Sequence, residues 1–228
     1  MANKGVLLSV GTDRSPARAR EDYVKAIYQL GRYGPVRAAA LARYLHVSRV
    51  SVSKAKRQLE AEGLLEPDRE PLQPLRLSRR GRKLAVAMVR RHRLLETFLH
   101  QALRVPLERI HGEAERIEHV ISDDVALRIA DLLGRPRIDP HGHPIPYDDA
   151  DTSKPLPTLA ELRAGDRARV VSLDDRDDAA VELLAKGGLL PGVRFVVERA
   201  DAARVVVRRG KRVLTLRRPH AAMVRIGT

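Results

Sequence analysis

The key stretch of this chain is residues 106–121, which read Pro-Leu-Glu-Arg-Ile-His-Gly-Glu-Ala-Glu-Arg-Ile-Glu-His-Val-Ile. A helix over this stretch, at about 100° per residue, places four potential metal ligands on one face: His111, Glu115, Glu118 and His119. Five apolar residues fall on the neighbouring arc: Leu107, Ile110, Ala114, Ile117 and Ile121. The ligand face therefore borders a buried seam. Because partly buried carboxylates need a cation, the stretch predicts a metal site.

The same four side chains have a simpler interpretation as a solvated helix face, which is the commoner role of Glu and His on a helix. They do not match the zinc-protease helices, which carry His-Glu-x-x-His or its inverse, because the first residue of the triplet is Glu115. The chain contains no cysteine, so thiolate ligands are excluded. The remaining oxygen and imidazole ligands suit Mn²⁺, Fe²⁺ or Co²⁺ as well as Zn²⁺, and the pattern alone leaves the metal open.

The positive charge of the chain is concentrated in its first half. The 228 residues carry a formal net charge of +14, and residues 1–104 contain 22 Lys and Arg against 9 Asp and Glu. Residues 105–159 contain 6 against 11, and residues 160–228 contain 15 against 9. This distribution predicts a polyanion-binding front half followed by an acidic, cation-binding middle. No apolar run approaches the length of a membrane span, so we expect a cytoplasmic protein with no membrane partner.

The basic front half has the pattern of a helix-turn-helix. Helices are predicted over 16–31, 36–45 and 49–62, the last of them capped by Ser48. Residues 64–77 place apolar segments on both sides of a Pro-rich turn, which predicts a two-stranded wing. A capped third helix with small hydroxyls and cations in its first turns suits contact with DNA, so these elements predict a winged helix. The alternative is an ordinary three-helix packing unit, which the local charge makes the less favoured interpretation.

The acidic middle is predicted to be helical. Ser78 is placed to cap a long helix over 79–103, and a shorter helix is predicted over 125–133. Together with the helix at 106–121, these elements supply more apolar surface than one protomer easily covers, which predicts a homodimer. His141 and His143 follow in a Pro/Gly-rich linker, where metal binding is conceivable but a solvated role is the more usual one.

From Thr158 the sequence changes to a period of two. Five short strands are predicted at 168–173, 193–198, 203–208, 212–216 and 222–226, with a helical turn at 178–185. This pattern fits a small SH3-like barrel. The predicted fold class is α+β. The predicted domains are a disordered tail at 1–14, a winged-helix DNA-binding domain at 15–84, an all-α dimerisation and metal-binding domain at 85–135, a Pro-rich linker at 136–157 and an SH3-like domain at 158–228.

Taken together, these motifs resemble the metal-dependent repressors of the diphtheria toxin repressor and manganese transport regulator type. The resemblance extends over residues 15–228, and its most specific parts are four segments: Glu-Asp-Tyr-Val-Lys-Ala-Ile-Tyr at 21–28, Arg-His-Arg-Leu-Leu-Glu at 91–96, the His-Gly-Glu-Ala-Glu-Arg-Ile-Glu-His run at 111–119, which continues to Ser122, and His-Pro-Ile-Pro at 143–146. It implies a DNA-binding repressor rather than an enzyme.

The resemblance also implies two metal sites. The primary site comprises Asp22, Glu115, Glu118 and His119. The second comprises His92, Glu96 and His111, completed in some members by a group from the SH3-like domain, for which Asp174 or Asp175 is the candidate here. Lys25 departs from the shorter manganese sensors, which have a Glu at this position. A cation there repels a second ion beside the first, so the resemblance favours two separated sites over a paired one.

The ligand types favour manganese. Iron-sensing members place Met and Cys where this chain has Asp22 and Glu115, and replacing soft sulfur with hard oxygen favours Mn²⁺. Fe²⁺ remains the alternative, and Co²⁺, Zn²⁺ or Cd²⁺ are expected to substitute in vitro.

We therefore expect a Mn²⁺-responsive repressor of metal-homeostasis genes, in which an ion clamps Asp22 of the DNA-binding domain to the ligands of the dimer domain. A palindromic duplex operator is the expected partner. Six residues are predicted to face the DNA: Arg37, Ser48, Arg49, Val50, Ser51 and Lys54. The rival hypotheses are a metal-dependent hydrolase, which lacks a recognisable nucleophile, and a winged-helix regulator that responds to an organic ligand or a partner protein.

Overall fold

A computed structural model describes residues 15–68, 73–148 and 155–227, and the predicted tail at 1–14 lies outside the described residues. Its helices are α1 (Pro16–Gly31), α2 (Ala38–Tyr44), α3 (Arg49–Ala61), α4 (Arg79–Gln101), α5 (Leu107–Ile117), α6 (Asp123–Leu132), α7 (Asp178–Lys186) and α8 (Arg218–Ala222). Its strands are β1 (Arg167–Leu173), β2 (Arg194–Ala200), β3 (Arg204–Arg209), β4 (Arg212–Arg217) and β5 (Val224–Gly227), and a 3₁₀ turn spans Leu159–Glu161. Among these residues no helix is both long and apolar enough to cross a membrane.

The first and third helices begin where their serine caps predict. The Ser48 hydroxyl accepts a hydrogen bond from the Ser51 backbone nitrogen at 3.0 Å, which satisfies one of the free donors at the start of α3. The second helix starts at Ala38 rather than at residue 36, because Val36 pairs with Leu75 in an isolated β-bridge. A second bridge joins Leu65 to Leu77, so the predicted wing is paired at its base. The tip of the wing, residues 69–72, lies outside the described residues.

The long helix α4 belongs to two cores. Its first half buries Ala85, Val86 and Val89 against the winged helix, whereas Leu94 and Leu95 in its second half pack against α5 and α6. This shared helix joins the DNA-binding domain directly to the helical domain. A ligand on the second half of α4 is therefore rigidly placed relative to the DNA-binding helices.

The helix α5 is shorter than predicted. It ends at Ile117, and Glu118 and His119 lie in the turn that follows it. The chain turns here because Ser122 caps the next helix, accepting a hydrogen bond from the Val125 backbone nitrogen at 3.2 Å. Glu118 is the C-cap of α5 and still has helical dihedrals, with its backbone nitrogen donating to the Ala114 carbonyl at 2.9 Å. The prediction that a single helical face carries all four ligands of residues 111–119 is therefore wrong for His119, which lies in the turn.

Part of the predicted linker is packed rather than solvated. Asp139 and His141 are buried, and the guanidinium of the buried Arg93 on α4 donates a hydrogen bond to the Pro144 carbonyl. Ile138 and Pro144 form an isolated bridge that closes the turn between them. The expectation of solvated histidines is wrong for His141, because the turn is held against α4.

The C-terminal domain is a five-stranded antiparallel sheet in the order β4-β3-β2-β1-β5. Alternate residues of each strand point into a core that includes Val170, Val197, Val205 and Leu216, all fully buried. The five predicted strands and the helical turn are confirmed within about two residues at each end, whereas the short α8 was not predicted. The loop between β1 and α7 contains Asp175 and lies beside the helical domain.

The first turn of α4 approaches the wing too closely to accept a side chain. A Cβ at Gly81 lies 2.0 Å from the Leu64 carbonyl oxygen, whereas a Cβ at Gly112 on α5 has no atom within 4 Å. We expect Gly81→Ala to lower the free energy of unfolding by about 1–3 kcal/mol, because the helix must shift. Gly112→Ala, the matched control, is expected to stabilise the protein by about 0.5–1 kcal/mol. Urea unfolding measures both, and equal effects would contradict this account of the α4–wing contact.

Candidate metal centre

Three helices bring ionisable side chains together. The helix α1 contributes Asp22 and Lys25, the second half of α4 contributes His92 and Glu96 one turn apart, and α5 contributes His111. The turn after α5 adds Glu118 and His119, and the C-terminal domain adds Asp175. The site therefore contains groups from all three domains.

The first cluster consists of Asp22, Glu118 and His119, whose ligand atoms all lie within 4.8 Å of one another. His119 Nε2 lies 3.0 Å from Asp22 Oδ1 and 3.4 Å from Glu118 Oε1. The other ring nitrogen, Nδ1, lies 2.7 Å from Glu21 Oε2, which orients the ring. These three residues of the predicted primary site are brought together as expected.

Glu115, the fourth predicted ligand of the primary site, lies at its edge. Its side chain is 53% exposed, and its Oε1 is 3.7 Å from His111 Nε2 and 3.9 Å from Lys25 Nζ. The end of α5 explains the difference. His119 leaves the helical path and turns towards α1, whereas Glu118, at the C-cap, is on the buried side of α5 and Glu115 is on its exposed side.

Lys25 occupies the space between the two predicted sites. Its ammonium lies 2.8 Å and 2.9 Å from the two carboxylate oxygens of Glu118, and 3.1 Å from His92 Nδ1. Both partners of this ion pair are buried, since Lys25 is 6% exposed and Glu118 is 1% exposed. The lysine thus neutralises the carboxylate that the first cluster would offer to a metal ion.

The second cluster consists of His92, Glu96, His111 and Asp175, again with ligand atoms within 4.8 Å of one another. Glu96 Oε1 is 3.1 Å from His92 Nε2 and 3.4 Å from His111 Nδ1. Asp175 Oδ1 lies 3.7 Å from His111 Nδ1. Of the two candidates from the C-terminal domain, Asp175 is the one that reaches this cluster. Asp174 instead pairs with Arg176, with an oxygen 2.6 Å from its guanidinium.

Asp139 and His141 were not predicted as ligands, yet they lie beside the second cluster. His141 Nδ1 is 3.5 Å from Glu96 Oε1 and 3.8 Å from Asp175 Oδ2, and Glu96, Asp139 and His141 form a further group of close ligand atoms. His143 Nδ1 is 3.5 Å from Asp175 Oδ2. The sequence signal is Asp-Pro-His-Gly-His, in which a glycine allows a tight turn between two potential ligands. A Cβ at Gly142 would lie 2.1 Å from the Val171 carbonyl oxygen.

A single imidazole joins the two clusters. His92 Nδ1 lies 2.6 Å from Glu118 Oε2 of the first cluster, whereas His92 Nε2 lies 3.2 Å from His111 Nδ1 of the second. The residues predicted for two separated sites therefore form two adjacent groups. Both groups contact the His92 ring, so a change of charge in one group affects the other through that ring.

The pKa values show how strongly these carboxylates demand positive charge. Burial and Lys25 act to lower the pKa of His92, but Glu96 and Glu118 raise it to about 10. Burial opposes the same effect at His119, whose pKa Asp22 and Glu21 raise to about 9. Despite burial, His92 and Lys25 lower the pKa of Glu118 to about 2. Protons on histidine and the ammonium of Lys25 thus supply the positive charge that the buried carboxylates require.

The residues fit a divalent cation. Three buried atoms in or beside the second cluster form no hydrogen bond within the described residues: Glu96 Oε2, Asp139 Oδ2 and His141 Nδ1. Buried polar atoms are rarely left unpaired unless an ion or water completes them. Carboxylate oxygen and imidazole nitrogen are ligands suited to Mn²⁺, Fe²⁺ and Zn²⁺. A bound ion would replace the histidine protons, so metal binding and proton release are coupled.

The predicted DNA-binding residues lie on one exposed part of the winged helix. Arg37 precedes α2, and the other residues lie at the start of α3, where the Ser48 and Ser51 hydroxyls are 2.9 Å apart. Val50 lies beside them on α3 and is 78% exposed. All six predicted residues are exposed: Arg37, Ser48, Arg49, Val50, Ser51 and Lys54.

Comparison with known proteins agrees with this arrangement. Residues 17–70 match the iron-dependent repressor N-terminal DNA-binding domain, residues 78–147 match the iron-dependent repressor metal-binding and dimerisation domain, and residues 158–227 match the FeoA domain. The chain is 35% identical over 208 residues to the iron-dependent repressor IdeR of Mycobacterium tuberculosis, covering 82% of this chain and 86% of IdeR. It is 31% identical over 208 residues to the diphtheria toxin repressor of Corynebacterium efficiens, covering 85% and 88%.

Solved structures give the same result. A manganese-dependent transcriptional repressor in complex with manganese superposes with a TM-score of 0.81 at 32% identity, covering 91% of this chain and 98% of the other. The manganese regulator SloR superposes with a TM-score of 0.73 at 27% identity, covering 91% and 97%. Zn²⁺-bound ScaR superposes with a TM-score of 0.76 at 29% identity, covering 91% and 98%.

The chain combines a winged helix, a helical metal-binding domain and an SH3-like FeoA domain around shared carboxylate and imidazole groups. This combination defines a metal-dependent transcriptional repressor. The chain belongs to the iron-dependent repressor family, which includes IdeR and the diphtheria toxin repressor.

The position of Lys25 leads to a prediction about metal affinity. Lys25→Gln is expected to lower the free energy of unfolding of the metal-free protein by about 1.5–3 kcal/mol, because buried Glu118 loses the hydrogen bonds from the ammonium and keeps its contact with His92. The same change is expected to tighten Mn²⁺ binding about tenfold, because a nearby positive charge is removed. Titration calorimetry and urea unfolding measure the two effects. Lys186→Gln removes an exposed, paired lysine and serves as the control. Loss of stability without a change in Mn²⁺ affinity would contradict the prediction.

Proposed function

We propose that the chain is a Mn²⁺-responsive repressor that controls metal-homeostasis genes, with Fe²⁺ as the alternative metal. The observation that carries the proposal is the first cluster, in which Asp22 of the DNA-binding domain meets Glu118 and His119 of the helical domain. A metal ion there would link two domains through three side chains. Because an ion supplies attraction between groups that otherwise repel, occupancy would favour the arrangement in which α1 lies against α5.

This arrangement affects DNA binding through α1. In the winged helix, α1 packs in the same core as α3, since Ile27 of α1 and Val52 of α3 are both buried there. Fixing α1 on the helical domain therefore fixes the orientation of α3 and its exposed Ser48, Arg49 and Ser51. In a dimer, the separation of the two α3 helices must match half-sites about one helical turn apart or a multiple of it.

The dimer would form through the apolar surface around α6. Val120 is 80% exposed and Leu132 is 72% exposed, and the large apolar side chains of Val125 and Leu127 are also exposed. Exposed apolar surface of this kind on a helix is typical of a subunit interface. A two-fold dimer of winged helices suits a palindromic operator.

The second cluster would connect the C-terminal domain to metal occupancy. Asp175 comes from that domain, whereas Glu96, His111 and His141 come from the helical domain and the packed turn after it. An ion held by these groups would join the two domains without using the winged helix. We propose that the first cluster switches DNA binding and that the second sets how firmly the C-terminal domain is attached.

Manganese is favoured by the ligand set of the first cluster. Asp22 and Glu118 contribute hard oxygen and His119 contributes imidazole, and the described residues contain no sulfur ligand at this position. Structures with similar folds are described as complexes with manganese, zinc and cadmium, whereas IdeR is named for iron. The hardness of the ligands, rather than raw affinity, is the argument for manganese.

The proposal is tested by anaerobic DNA-binding titration with Mn²⁺, Fe²⁺, Co²⁺ and Zn²⁺, using operator fragments selected from random duplexes. Asp22→Asn is expected to weaken metal-dependent DNA binding about 100-fold or more, because loss of a direct ligand should exceed the roughly 10–100-fold cost of losing an outer-shell group. Glu182→Gln, an exposed carboxylate paired with Lys186, is the control and should behave as the wild type. Metal-independent DNA binding by the wild type would refute the proposal.

A separate prediction concerns the second cluster. Asp175→Asn should leave the Asp22 cluster able to bind one ion but reduce the number of bound Mn²⁺ ions per protomer, because the second cluster loses its ligand from the C-terminal domain. Asp174→Asn is the matched control, since its carboxylate pairs with Arg176 instead. Elemental analysis after dialysis against Mn²⁺ gives the count. Equal metal content in both variants would contradict the assignment of Asp175.

A further inference from the structure

The outer face of the C-terminal sheet carries an unusual concentration of positive charge. The core-facing residues of these strands, such as Val170, Val197 and Val205, are buried, and the alternate positions point away from the core. On β1 to β4 these outward positions hold six exposed arginines: Arg167, Arg169, Arg194, Arg204, Arg208 and Arg217. We refer to this set as the arginine face.

The strand register places several of these arginines directly opposite each other. Arg169 pairs with Arg194 across β1 and β2, and Arg204 pairs with Arg217 across β3 and β4. Like charges in directly opposite positions destabilise a sheet. Within the described part of the chain, Arg208 is the one member of the set within ion-pair distance of a carboxylate, that of Glu198. The sheet therefore carries repulsion that folding alone does not require.

Four of the nine acidic residues of this domain are grouped in one loop. Asp174, Asp175, Asp177 and Asp178 lie in and after the loop between β1 and α7, beside the helical domain. Glu198 lies on β2 beside Arg208, and Asp201 accepts hydrogen bonds from backbone nitrogens at the turn between β2 and β3. The largest acidic group of the domain thus lies in a loop rather than on the strands of the arginine face. The domain presents acid towards the candidate metal centre and arginine outwards from the sheet. A bound polyanion would relieve the repulsion on the arginine face.

The domain is also held close to the DNA-binding domain. The Arg225 guanidinium lies 4.8 Å from the ring centre of Tyr33, in the turn after α1, and the Arg176 guanidinium lies 4.5 Å from the ring centre of Tyr44 on α2. These two contacts seat the C-terminal domain directly on the winged helix. The arginine face therefore belongs to a domain that contacts the winged helix directly.

We propose that the arginine face is a second contact surface for duplex DNA, which binds the phosphates of DNA beyond the segment read by α3. Arginine suits this partner because its planar guanidinium donates two parallel hydrogen bonds to a phosphate. The face spans four strands, or about 14 Å, which is comparable to the roughly 12 Å width of the major groove. The inference goes beyond the proposed switch and rests only on duplex DNA being a ligand of the chain.

The test uses Arg204→Gln/Arg217→Gln, which removes one opposed pair, and Arg109→Gln/Arg116→Gln, which removes two exposed arginines from α5 as a control of equal charge. Binding of the full chain with Mn²⁺ to mixed-sequence duplexes of 20 and 60 base pairs is measured between 50 and 200 mM salt. Each phosphate contact contributes about 0.9 to the slope of log K against log salt. We expect the first variant to reduce that slope by about 2 on the long duplex, with little change on the short one.

Thermal unfolding of the same variants supplies an independent readout. Removing the Arg204–Arg217 pair is expected to maintain or raise the unfolding midpoint, because the cross-strand repulsion is lost.

An unchanged salt slope, or an equal reduction in the α5 control, would overturn the inference. So would loss of binding to phosphatidylglycerol vesicles in the first variant with DNA binding unaffected, because the face would then fit a membrane surface. Metal dependence on the short duplex tests the proposed function separately.

Discussion

The structure depends on how buried negative charge is balanced where α1 meets the turn after α5. Glu118 is almost fully buried, and Asp22 and His119 lie beside it. A buried carboxylate without a cation is too costly to persist, so some positive charge must occupy this position. In the metal-free protein, Lys25 and the raised pKa of His92 provide it. The domains are thus held together by an electrostatic requirement that either a lysine and protons or a divalent ion can satisfy.

Through His92, the need to balance buried negative charge also involves the C-terminal SH3-like domain. One ring nitrogen contacts Glu118, and the other faces Glu96 and His111, which in turn approach Asp175. A positive charge bound in one cluster therefore changes the affinity of the other cluster for protons or a metal ion. This continuity adds an electrostatic link among the winged helix, the helical domain and the SH3-like domain, beside the apolar cores that share α4.

Much of this could be predicted from the sequence because it depends on local chemistry. Serine caps set the starts of α3 and α4, alternation set the strands, and the spacing of His92 and Glu96 placed two ligands on one helix face. The exceptions depend on tertiary contacts. The end of α5 is decided by the start of α6, which turns His119 towards α1, and the packing of α5 buries Glu118 while it leaves Glu115 exposed. The turn containing Asp139 and His141 is buried because Arg93 holds it, which no periodicity reveals. Lys25 was recognised as a departure, but its bidentate contact with Glu118 was visible only in three dimensions.

The central claim is that a divalent ion joins Asp22 to Glu118 and His119. The most direct measurement is anomalous X-ray scattering at the manganese edge from crystals of the full chain grown with Mn²⁺. The account predicts a manganese peak within coordination distance of all three side chains, with α1 still against α5. Manganese bound elsewhere, with Glu118 paired only to Lys25 and no peak beside Asp22, would contradict it.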